Sequence, residues 1–590
     1  MKKMLMTMAA AVCSLLAIAQ TQVPSFPGAE GHGRYVQGGR GGVVRHVTNL
    51  KNSGTGSFRW AVQGSAKKIV VFDVAGVIPL QSNVNIGPNT TIEGQTAPYP
   101  GITLRYYTVN PNGNNIVVRY IRIRRGQEKD VNDGADASTA RNFTGIVFDH
   151  CSLSWSIDEV ASFYDNNNFT MQWCTIAESL NNAGHGKGAH GYGGIWGGKL
   201  ASFHHNLIAH VANRSPRFNG ARYEWKGYTS NYLYSQYQWA NEVQAENVDF
   251  RNCVVYNCGN GCYGGPGGGQ INMVNNYYKT GPAGSTSRLT QVTVGAEGNA
   301  SGHPNLWGMT SRYYVDGNKI NGNNAGWETF IYDDGTILRE GKRWSQDPNH
   351  YNGEDERYIT VSGTDYVCMQ LDEPAPVGEV TTHSAATAFQ KVLAYAGDSH
   401  QRDDVDDRYM TEAKNGTATY KGSVTNTSGR IDKVSDVEGY TENNFPTGSR
   451  ETGFDTDNDG IPDAWETANG LDPNDATDAV KTTIDPAGWY SNIEVYANSL
   501  VQDIVIAGNA DGDDAVKEYF PAYHMEDGTL VEAINAETTG IAPITTRTAA
   551  VTATEYFDLN GRRLSAPQHG ITICRQRLAD GSTIATKVIQ

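Results

Sequence analysis

Apart from its first twenty residues, the chain has no apolar run near the length of about 20 residues that a membrane-spanning helix needs. We therefore expect no membrane span. The exception begins with Lys2 and Lys3, continues as an apolar run, and ends with small residues from Ala17 to Ala19, which is typical of a secretory signal peptide. We expect cleavage near Gln20 and a soluble protein exported to the medium, the cell surface or the periplasm.

Positive charge is scarce. The 590 residues contain 47 Lys and Arg against 63 Asp and Glu, a net charge of −16. This balance excludes nucleic acid as a partner, because phosphate binding needs a basic face. It also disfavours a polyanionic ligand unless a divalent cation bridges the acidic protein to it, so oxygen-rich cation sites are worth seeking in the sequence.

Cysteine is scarce too, with eight residues in all and seven once Cys13 leaves with the signal peptide. An odd number cannot pair completely within one chain. Cys258 and Cys262 flank a glycine-rich loop, where they could form a disulfide or stay reduced. The sequence alone leaves both states open.

Internal repetition indicates the fold. Five segments align without gaps, alternate apolar and polar residues as strands do, and start 23, 32, 47 and 23 residues apart. The segments are 148–153, 171–176, 203–208, 250–255 and 273–278. The short spacing is typical of one coil of a parallel β-helix, and the longer ones indicate inserted loops. With further strand-like runs at 69–78, 84–94 and 115–126, we expect the solenoid to cover most of residues 24 to 320.

Equivalent positions of the repeats predict two stacked columns. Small thiols and amides form the first column, which we expect in the interior as packed cysteines and a hydrogen-bonded amide ladder rather than as disulfides or metal ligands: Cys151, Cys174, Asn206, Cys253 and Asn276. Ring side chains dominate the second, for which stacking is expected rather than catalysis: His150, Trp173, His205 and Asn252.

Downstream of the solenoid the sequence changes character. Residues 385–396 have helical character and end at Gly397, and the charge run 402–408 is expected to be a solvated connection. We predict a loop-rich region at 411–480, an accessory segment at 481–538 and, after a Thr- and Ala-rich linker, a small β module at 555–590.

An ordered series of motifs lies between residues 136 and 219. It comprises Asp136-Ala-Ser, Phe148-Asp-His-Cys151, Ser156-Ile-Asp-Glu159, His185-Gly-Lys187 and Arg214-Ser-Pro-Arg217. The series resembles family 1 pectate lyases, and the glycine-rich N-terminal motifs resemble the secreted bacterial branch of that family. The resemblance covers about residues 24 to 410. It implies an all-β, right-handed parallel β-helix for a domain at 20–410, carrying a C-terminal extension, and a calcium-dependent lyase acting on pectate (polygalacturonate).

The resemblance also implies a mechanism. Calcium would neutralise the substrate carboxylate, which makes the neighbouring C5 proton acidic enough for elimination. Arg214 matches the arginine that abstracts this proton. An arginine is a poor base at its ordinary pKa above about 12, so its surroundings must favour the neutral form transiently. Without the neighbouring motifs, Arg214 would be read as a surface charge.

The calcium ligands implied are Asp136, Asp158 and Glu159. Asp136 lies thirteen residues before Asp149, and Asp158 nine after it, as in the family. Two carboxylates expected from the family are replaced here, one by Ser162 and one by Gly134, and Glu159 is predicted to substitute for the first of these. On their own, Asp158 and Glu159 would be interpreted as ordinary turn residues.

The substrate contacts implied are Lys187, Arg217 and Arg222. Lys187 resembles the lysine that binds a substrate carboxylate, although His185 and His190 could equally be plain loop residues. The last arginine of the family's turn motif is Asn219 here, and Arg222 is the nearest replacement. We expect a monomer.

A second cation motif lies at residues 455–466. Asp455, Asp457 and Asp459 alternate before Gly460, which matches the first half of an EF-hand-type loop. Asp463 or Glu466 would close it. The segment resembles thrombospondin type 3 and dockerin-like calcium loops, and we predict a structural Ca²⁺ there. The alternative is an acidic turn.

The last residues, with Leu559 to Arg563 and a final Lys587 to Gln590, resemble C-terminal sorting domains of the type IX secretion route.

Two alternatives to a lyase stay open from the sequence. One is a polygalacturonase-type β-helix hydrolase, although no glycosidase-like carboxylate pair stands out. The other is a non-catalytic pectin-binding β-helix, since solenoids offer long grooves whether or not they catalyse.

Overall fold

The structure is a computed structural model that describes residues 22–536 and 551–589. Omitted within these ranges are 132–133, 221–245, 260, 265–268, 285, 293–310, 333–336, 339–342, 346–359, 362–363, 369–370, 442–444, 558–562, 565, 567–570 and 579–582. The predicted signal peptide and Arg222 therefore lie outside the described residues. The chain divides into two compact units, Met1–Asn535 and Ala536–Gln590.

Three sheets wrap the first unit into a β-helix, as predicted, and all three are parallel except for pairs at the ends of the second and third. The first sheet has ten strands: Val43–Val47, Lys68–Phe72, Thr90–Glu93, Ile116–Arg119, Thr144–Asp149, Asn167–Gln172, Ala201–His204, Asn247–Arg251, Gly269–Val274 and Ser311–Asp316. The second consists of Val74–Pro79, Ile102–Arg105, Arg122–Arg124, Ser152–Ser154, Thr175–Ala177, Leu207–Ala209, Val254–Tyr256, Tyr277–Lys279, Lys319–Ile320, Asn323–Asn324 and Gly448–Ser449.

The third sheet borders the candidate active site. Its strands are Ser138–Arg141, Ala161–Tyr164, Ile195–Trp196, Arg217–Phe218, Tyr263–Gly264, Gln291–Val292, Phe330–Tyr332 and Ile337–Leu338. Smaller sheets are formed by Val84–Ile86 with Val109–Pro111, by Arg343–Ser345, Thr360–Val361 and Thr364–Cys368, and by Tyr523–His524 with Leu530–Val531. From Ile116 onward, each coil runs through the first, second and third sheets in turn.

The five aligned repeats lie side by side in the predicted register, each covering the end of a first-sheet strand, a bend and the start of a second-sheet strand. Phe148 pairs with Met171, Met171 with Phe203, Phe203 with Phe250, and Phe250 with Met273. These side chains are fully buried. A period of two therefore places one face of every strand in the apolar core, and the long spacings between repeats are loops that leave the coil and return to it.

The predicted thiol and amide column is confirmed. Cys174 N–H donates to Asn206 Oδ1 at 2.8 Å, and Cys253 N–H donates to Asn276 Oδ1 at 2.9 Å. Asn276 N–H in turn donates to Asn318 Oδ1 at 3.0 Å, so the ladder extends one coil beyond the aligned repeats. Each amide side chain thus satisfies a buried backbone N–H at a bend, which removes the cost of an unpaired donor there.

The second column is also confirmed as a stack. The ring centroids of His150 and Trp173 are 5.9 Å apart, and those of Trp173 and His205 are 4.2 Å apart, with planes within 16° of parallel. Tyr120 extends the stack at 4.8 Å from His150. These histidines have a packing role. Among the described cysteines, Cys258 and Cys262 are free and buried, so the loop disulfide does not form.

Helices cover part of the solenoid. The α-helices are Phe58–Ala61, Ala385–Tyr395, Asp404–Asn415, Asp463–Asn469, Asn492–Ser499 and Gln502–Asn509, with short 3₁₀ turns at Gly94–Thr96, Trp327–Thr329 and Val434–Asp436. The helix predicted at 385–396 is confirmed. Ser384 caps it by accepting a hydrogen bond from Thr387 N–H at 3.2 Å, and Phe389 and Val392 are buried.

The prediction that residues 402–408 form a solvated connection was wrong. Asp403 caps the helix Asp404–Asn415, and Asp406 is fully buried. The reason lies in the second sheet, where the buried Arg124 pairs with Asp403 at 2.6 Å and Asp406 at 3.0 Å. Buried guanidinium groups need carboxylate partners, and the acidic run supplies them.

The second unit, described by itself, is a four-stranded antiparallel sheet. Its strands are Val551–Phe557, Arg563–Leu564, Ile571–Leu578 and Thr583–Ile589. Within the parts of both units that the structure describes, no helix is long and apolar enough to cross a membrane.

Candidate active site

The candidate site lies where coils enter the third sheet. Asp136 precedes the strand Ser138–Arg141, Glu159 precedes Ala161–Tyr164, and Arg214 precedes Arg217–Phe218. Glu159, Tyr192 and Asn213 pair with one another in sequence through parallel bridges, so they occupy equivalent positions of three successive coils. Residues separated by more than fifty positions in the chain are therefore neighbours on one corner of the solenoid.

Three carboxylates meet at this corner. Oxygens of Asp136, Asp158 and Glu159 lie within 4.8 Å of one another. Asp136 and Glu159 are buried, and Asp136 Oδ1 accepts a hydrogen bond from Glu159 N–H at 3.2 Å. Burial, and then repulsion by Asp158, raises the pKa of Asp136 well above its usual value, although Arg214 acts in the opposite direction. A cation in this cluster would relieve both costs.

Arg214 is positioned next to the cluster. Its guanidinium contacts the carboxylate of Glu159 and lies over the ring of Tyr192, 4.5 Å from the centroid. Its backbone is in the left-handed region, with φ of 54°, and its N–H donates to Asn213 Oδ1 at 2.7 Å. The side chain is 20% exposed, so a ligand can reach it.

Two histidines that the sequence left undecided join the site. His190 Nε2 lies 3.1 Å from Asp158 Oδ1, and His185 Nε2 lies 3.7 Å from Asp158 Oδ2. Both side chains are buried. The sequence signal was only the pair of histidines five residues apart in a glycine-rich loop, and nothing in that spacing shows that the loop folds back onto Asp158.

The predicted substrate contacts Lys187 and Arg217 lie in different parts of the fold, one in an inserted loop and one in the third sheet. Lys187 is exposed in the loop that carries both histidines, and its backbone N–H donates to His185 Nδ1 at 3.1 Å. Arg217 is buried and lies over the ring of Tyr263, 5.9 Å from the centroid. Arg222 lies outside the described residues.

The positions that depart from the family pattern have structural roles. Ser162 is buried in the third sheet, where its hydroxyl accepts a hydrogen bond from Ile195 N–H at 3.1 Å. Asn219 is also buried, and it donates to Asp165 Oδ1 at 3.1 Å. A side chain at Gly134 would begin 3.9 Å from Asp158 Oδ2, so a residue at this position borders the cluster.

The second predicted cation site is a separate acidic cluster. Oxygens of Asp455, Asp457 and Asp459 lie within 4.8 Å of one another, as do those of Asp459, Glu466 and Asp478. Both oxygens of Asp457 and of Glu466 are buried without a hydrogen-bond partner. Burial, followed by the surrounding carboxylates, raises the pKa of Asp459 to about 7 and that of Glu466 to about 8. Such orphaned oxygens fit a Ca²⁺ ion.

Asp478 was missed by sequence reasoning because it lies twelve residues beyond Glu466, outside the span of a loop motif. Asp463, predicted as a possible closing ligand, is placed elsewhere. Its carboxylate accepts hydrogen bonds from Thr456 N–H at 2.7 Å and from the Thr456 hydroxyl at 2.6 Å. Asp463 therefore braces the loop, whereas Glu466 and Asp478 face the cluster.

This loop packs on the beginning of the solenoid. Gly460 has a φ of 98°, and a side chain there would lie 3.1 Å from Val44 and Ile493 and 3.3 Å from Val71. Glycine is needed at this position for both the backbone conformation and the close approach. An ion held by the loop would therefore fasten the C-terminal region of the unit to its first two strands.

The fold and this corner define the class as a β-helical enzyme with an acidic, cation-competent site beside an arginine. Sequence comparison gives the family. A probable pectate lyase C of Neosartorya fischeri is 33% identical over 497 residues, covering 83% of this chain and 97% of that protein. Its counterpart in Emericella nidulans is 32% identical over 496 residues, with coverages of 83% and 95%. The chain belongs to the pectate lyase family.

No family model matches the chain. Among solved structures, a pectate lyase bound to a hexasaccharide shares 14% identity, with a TM-score of 0.38 and coverage of 65% of this chain and 99% of that one. The major cedar pollen allergen Jun a 1 shares 15% identity with a TM-score of 0.36, over 62% and 92% of the two chains. Similarities at this level carry no argument. The relatives named are fungal, so the resemblance to the bacterial branch stays a prediction.

Proposed function

We propose that the chain is a calcium-dependent pectate lyase that cleaves polygalacturonate by β-elimination, with Arg214 as the proton abstractor. The observation that carries this proposal is the meeting of Asp136, Asp158 and Glu159 with Arg214 on one corner of the solenoid. A site of this kind can hold a cation and a base side by side, which elimination next to a carboxylate requires.

The residues fit calcium. Asp136, Asp158 and Glu159 offer only oxygen ligands, which Ca²⁺ prefers, and mutual repulsion of these carboxylates is strongest without a cation. Calcium bound there would neutralise the carboxylate of the substrate and withdraw charge as it develops next to C5. It would also reconcile an acidic protein of net charge −16 with a polyanionic substrate.

Arg214 would take the C5 proton. The C–H electron pair then forms the double bond between C4 and C5, the C4–O bond breaks, and the leaving oxygen acquires a proton, which gives 4,5-unsaturated oligogalacturonides. Glu159 and Tyr192 hold the guanidinium in place from two sides. A base fixed in this way loses little entropy on reaching the reactive geometry.

Further parts of the chain take supporting roles in the proposal. Lys187, Arg217 and Arg222 are assigned to the substrate carboxylates. Asp455, Asp457, Asp459, Glu466 and Asp478 are assigned to a structural Ca²⁺. The N-terminal signal and the C-terminal module at 555–590 are assigned to secretion, either into the medium or to the cell surface.

One assay tests the proposal. Polygalacturonate is supplied to the full chain with calcium and then with a chelator, and the ultraviolet absorbance of the unsaturated product is followed beside the release of reducing ends. We expect both signals with calcium and neither with chelator. Reducing ends without absorbance would replace the lyase with a hydrolase, and no cleavage of any pectin would favour a binding protein.

A further inference from the structure

Four planar groups lie in a row across the candidate active site. The rings of His185 and His190 are 3.9 Å apart and within 9° of parallel. The ring of Tyr192 follows at 3.9 Å from His190 with its plane tilted by 43°, and the Arg214 guanidinium lies 4.5 Å from the Tyr192 centroid. The row begins in the inserted loop and ends on the proposed base.

The same row faces Asp158 along its histidine half. His190 Nε2 is 3.1 Å from Asp158 Oδ1, and His185 Nε2 is 3.7 Å from Asp158 Oδ2. The two imidazoles therefore lie next to the two different oxygens of one carboxylate. Because His185 Nδ1 accepts the Lys187 N–H at 3.1 Å, that nitrogen carries no proton. Nε2 is therefore the ring nitrogen left to carry a proton, and it is the one that faces Asp158.

The nitrogen of His185 that faces a donor decides between two roles for this histidine. A histidine that binds a metal through Nε2 would carry its proton on Nδ1 and donate it to an acceptor. His185 Nδ1 faces a donor instead. His185 therefore acts on the carboxylate of Asp158, and not as a metal ligand in its own right.

We propose that His185, His190 and Tyr192 are positioning residues that hold the cation ligand Asp158 and the base Arg214 at a fixed separation, with His190 as the central member. Its Nε2 lies 3.1 Å from Asp158 Oδ1, and its ring contacts the ring of Tyr192, which in turn supports Arg214. The inference rests on the proposed function, and it adds three residues to the machinery that the family resemblance does not supply.

Different substitutions separate the contact of His190 with Asp158 from the contact of Tyr192 with Arg214. His190→Phe keeps a flat ring beside Tyr192 but removes the nitrogen that lies 3.1 Å from Asp158 Oδ1. We expect the calcium affinity of the catalytic site to fall about tenfold, the lower end of what outer partners of metal ligands contribute, and kcat at saturating calcium to fall less than in Tyr192→Leu. Tyr192→Leu removes the support of Arg214, so kcat should fall about tenfold or more while calcium affinity stays unchanged.

Calcium binding is measured by titration calorimetry on the full chain, which needs no turnover. Asp158→Ala identifies the catalytic phase of the titration, and Asp459→Asn identifies the loop phase. Tyr192→Phe, which keeps the ring face, should lose much less kcat than Tyr192→Leu. His524→Phe is the matched control for a histidine elsewhere in the unit. Thermal unfolding checks that every variant is folded.

Unchanged calcium affinity in His190→Phe would overturn the proposal, as would a loss of kcat in Tyr192→Phe as large as that in Tyr192→Leu, which would give the hydroxyl and not the ring face the leading role. A failure of the proposed function is a separate result. If wild type forms no unsaturated product, the lyase assignment fails, while the calorimetric comparison of wild type with His190→Phe still decides whether His190 fixes Asp158.

Discussion

Arg124 Nη2 lies 3.0 Å from Asp406 Oδ1, with side chains only 1% and 0% exposed. The arginine belongs to the second sheet of the solenoid, and the aspartate belongs to the helix Asp404–Asn415. Ser152, also in the second sheet, contacts the other oxygen of the same carboxylate. The helix is therefore fixed to the solenoid by a buried charge pair.

Removing the negative charge of this pair should destabilise the fold. Asp406→Asn leaves the buried guanidinium of Arg124 with one carboxylate fewer, and breaking such a pair costs about 3–5 kcal/mol. Denaturant unfolding followed by tryptophan fluorescence measures the loss. Asp404→Asn, which is exposed on the first turn of the same helix, is the control and should stay within about 0.5 kcal/mol of wild type. Equal stability of the two variants would contradict this account.

Features that repeat along the chain could be predicted from the sequence, whereas contacts between residues far apart in the chain could not. The strands, the amide ladder and the ring stack repeat at short intervals, so alignment of repeats was enough to predict them. The charge run at 402–408 was misread because its partners Arg122 and Arg124 lie more than 270 residues away. Asp478 and the two histidines of the site lie much nearer to their carboxylate partners in the chain, but their spacing matches no motif, so only the folded chain shows that they meet.

Arg214→Lys should abolish turnover while leaving the protein folded. Lysine cannot reproduce the planar group that contacts Glu159 and lies on Tyr192, and a misplaced base forfeits most of a contribution of about 10²–10⁴. The measurement is the initial rate of unsaturated product at saturating calcium. Arg141→Lys, at an exposed arginine of the third sheet, should keep its rate. Full activity in the Arg214 variant would contradict the mechanism.

Asp158→Ala should raise the calcium requirement. Loss of one carboxylate from a three-carboxylate cluster weakens cation binding, and we expect the calcium concentration for half-maximal rate to rise about tenfold or more. Rates are recorded in calcium buffers that fix the free ion. Asp316→Ala, at an exposed aspartate ending a strand of the first sheet, should keep the wild-type requirement. A shift of the same size there would show that net charge alone is responsible.

The acidic loop should link calcium to stability. A chelator should lower the melting temperature of wild type, since an ion at 100 times its Kd contributes about 2.7 kcal/mol. Glu466→Gln should lose most of this calcium-dependent shift. Asp463→Asn should keep it, because Asp463 contacts Thr456 and lies outside the cluster. Loss of the shift in the Asp463 variant alone would reverse the assignment.

Acid should remove a contribution from Asp149. Burial alone would raise the pKa of this carboxyl, but His150 and Arg119 outweigh burial and lower the pKa to about 2 from 3.8. A depressed pKa means that the stabilisation is complete above about pH 4 and is lost as pH falls towards 2, amounting to about 2 kcal/mol. Unfolding free energies at pH 5 and pH 2.5 should therefore differ less in Asp149→Asn than in wild type. An equal difference would contradict the assignment.

The parallel bridges that align Glu159, Tyr192 and Asn213 have a consequence for evolution of the site. Neighbouring strands in a sheet are about 4.8 Å apart, so each coil adds one step of constant height to this row. The row therefore places side chains at equal intervals along the axis of the solenoid. Insertions in the corner loops can exchange these side chains without altering the interval between them.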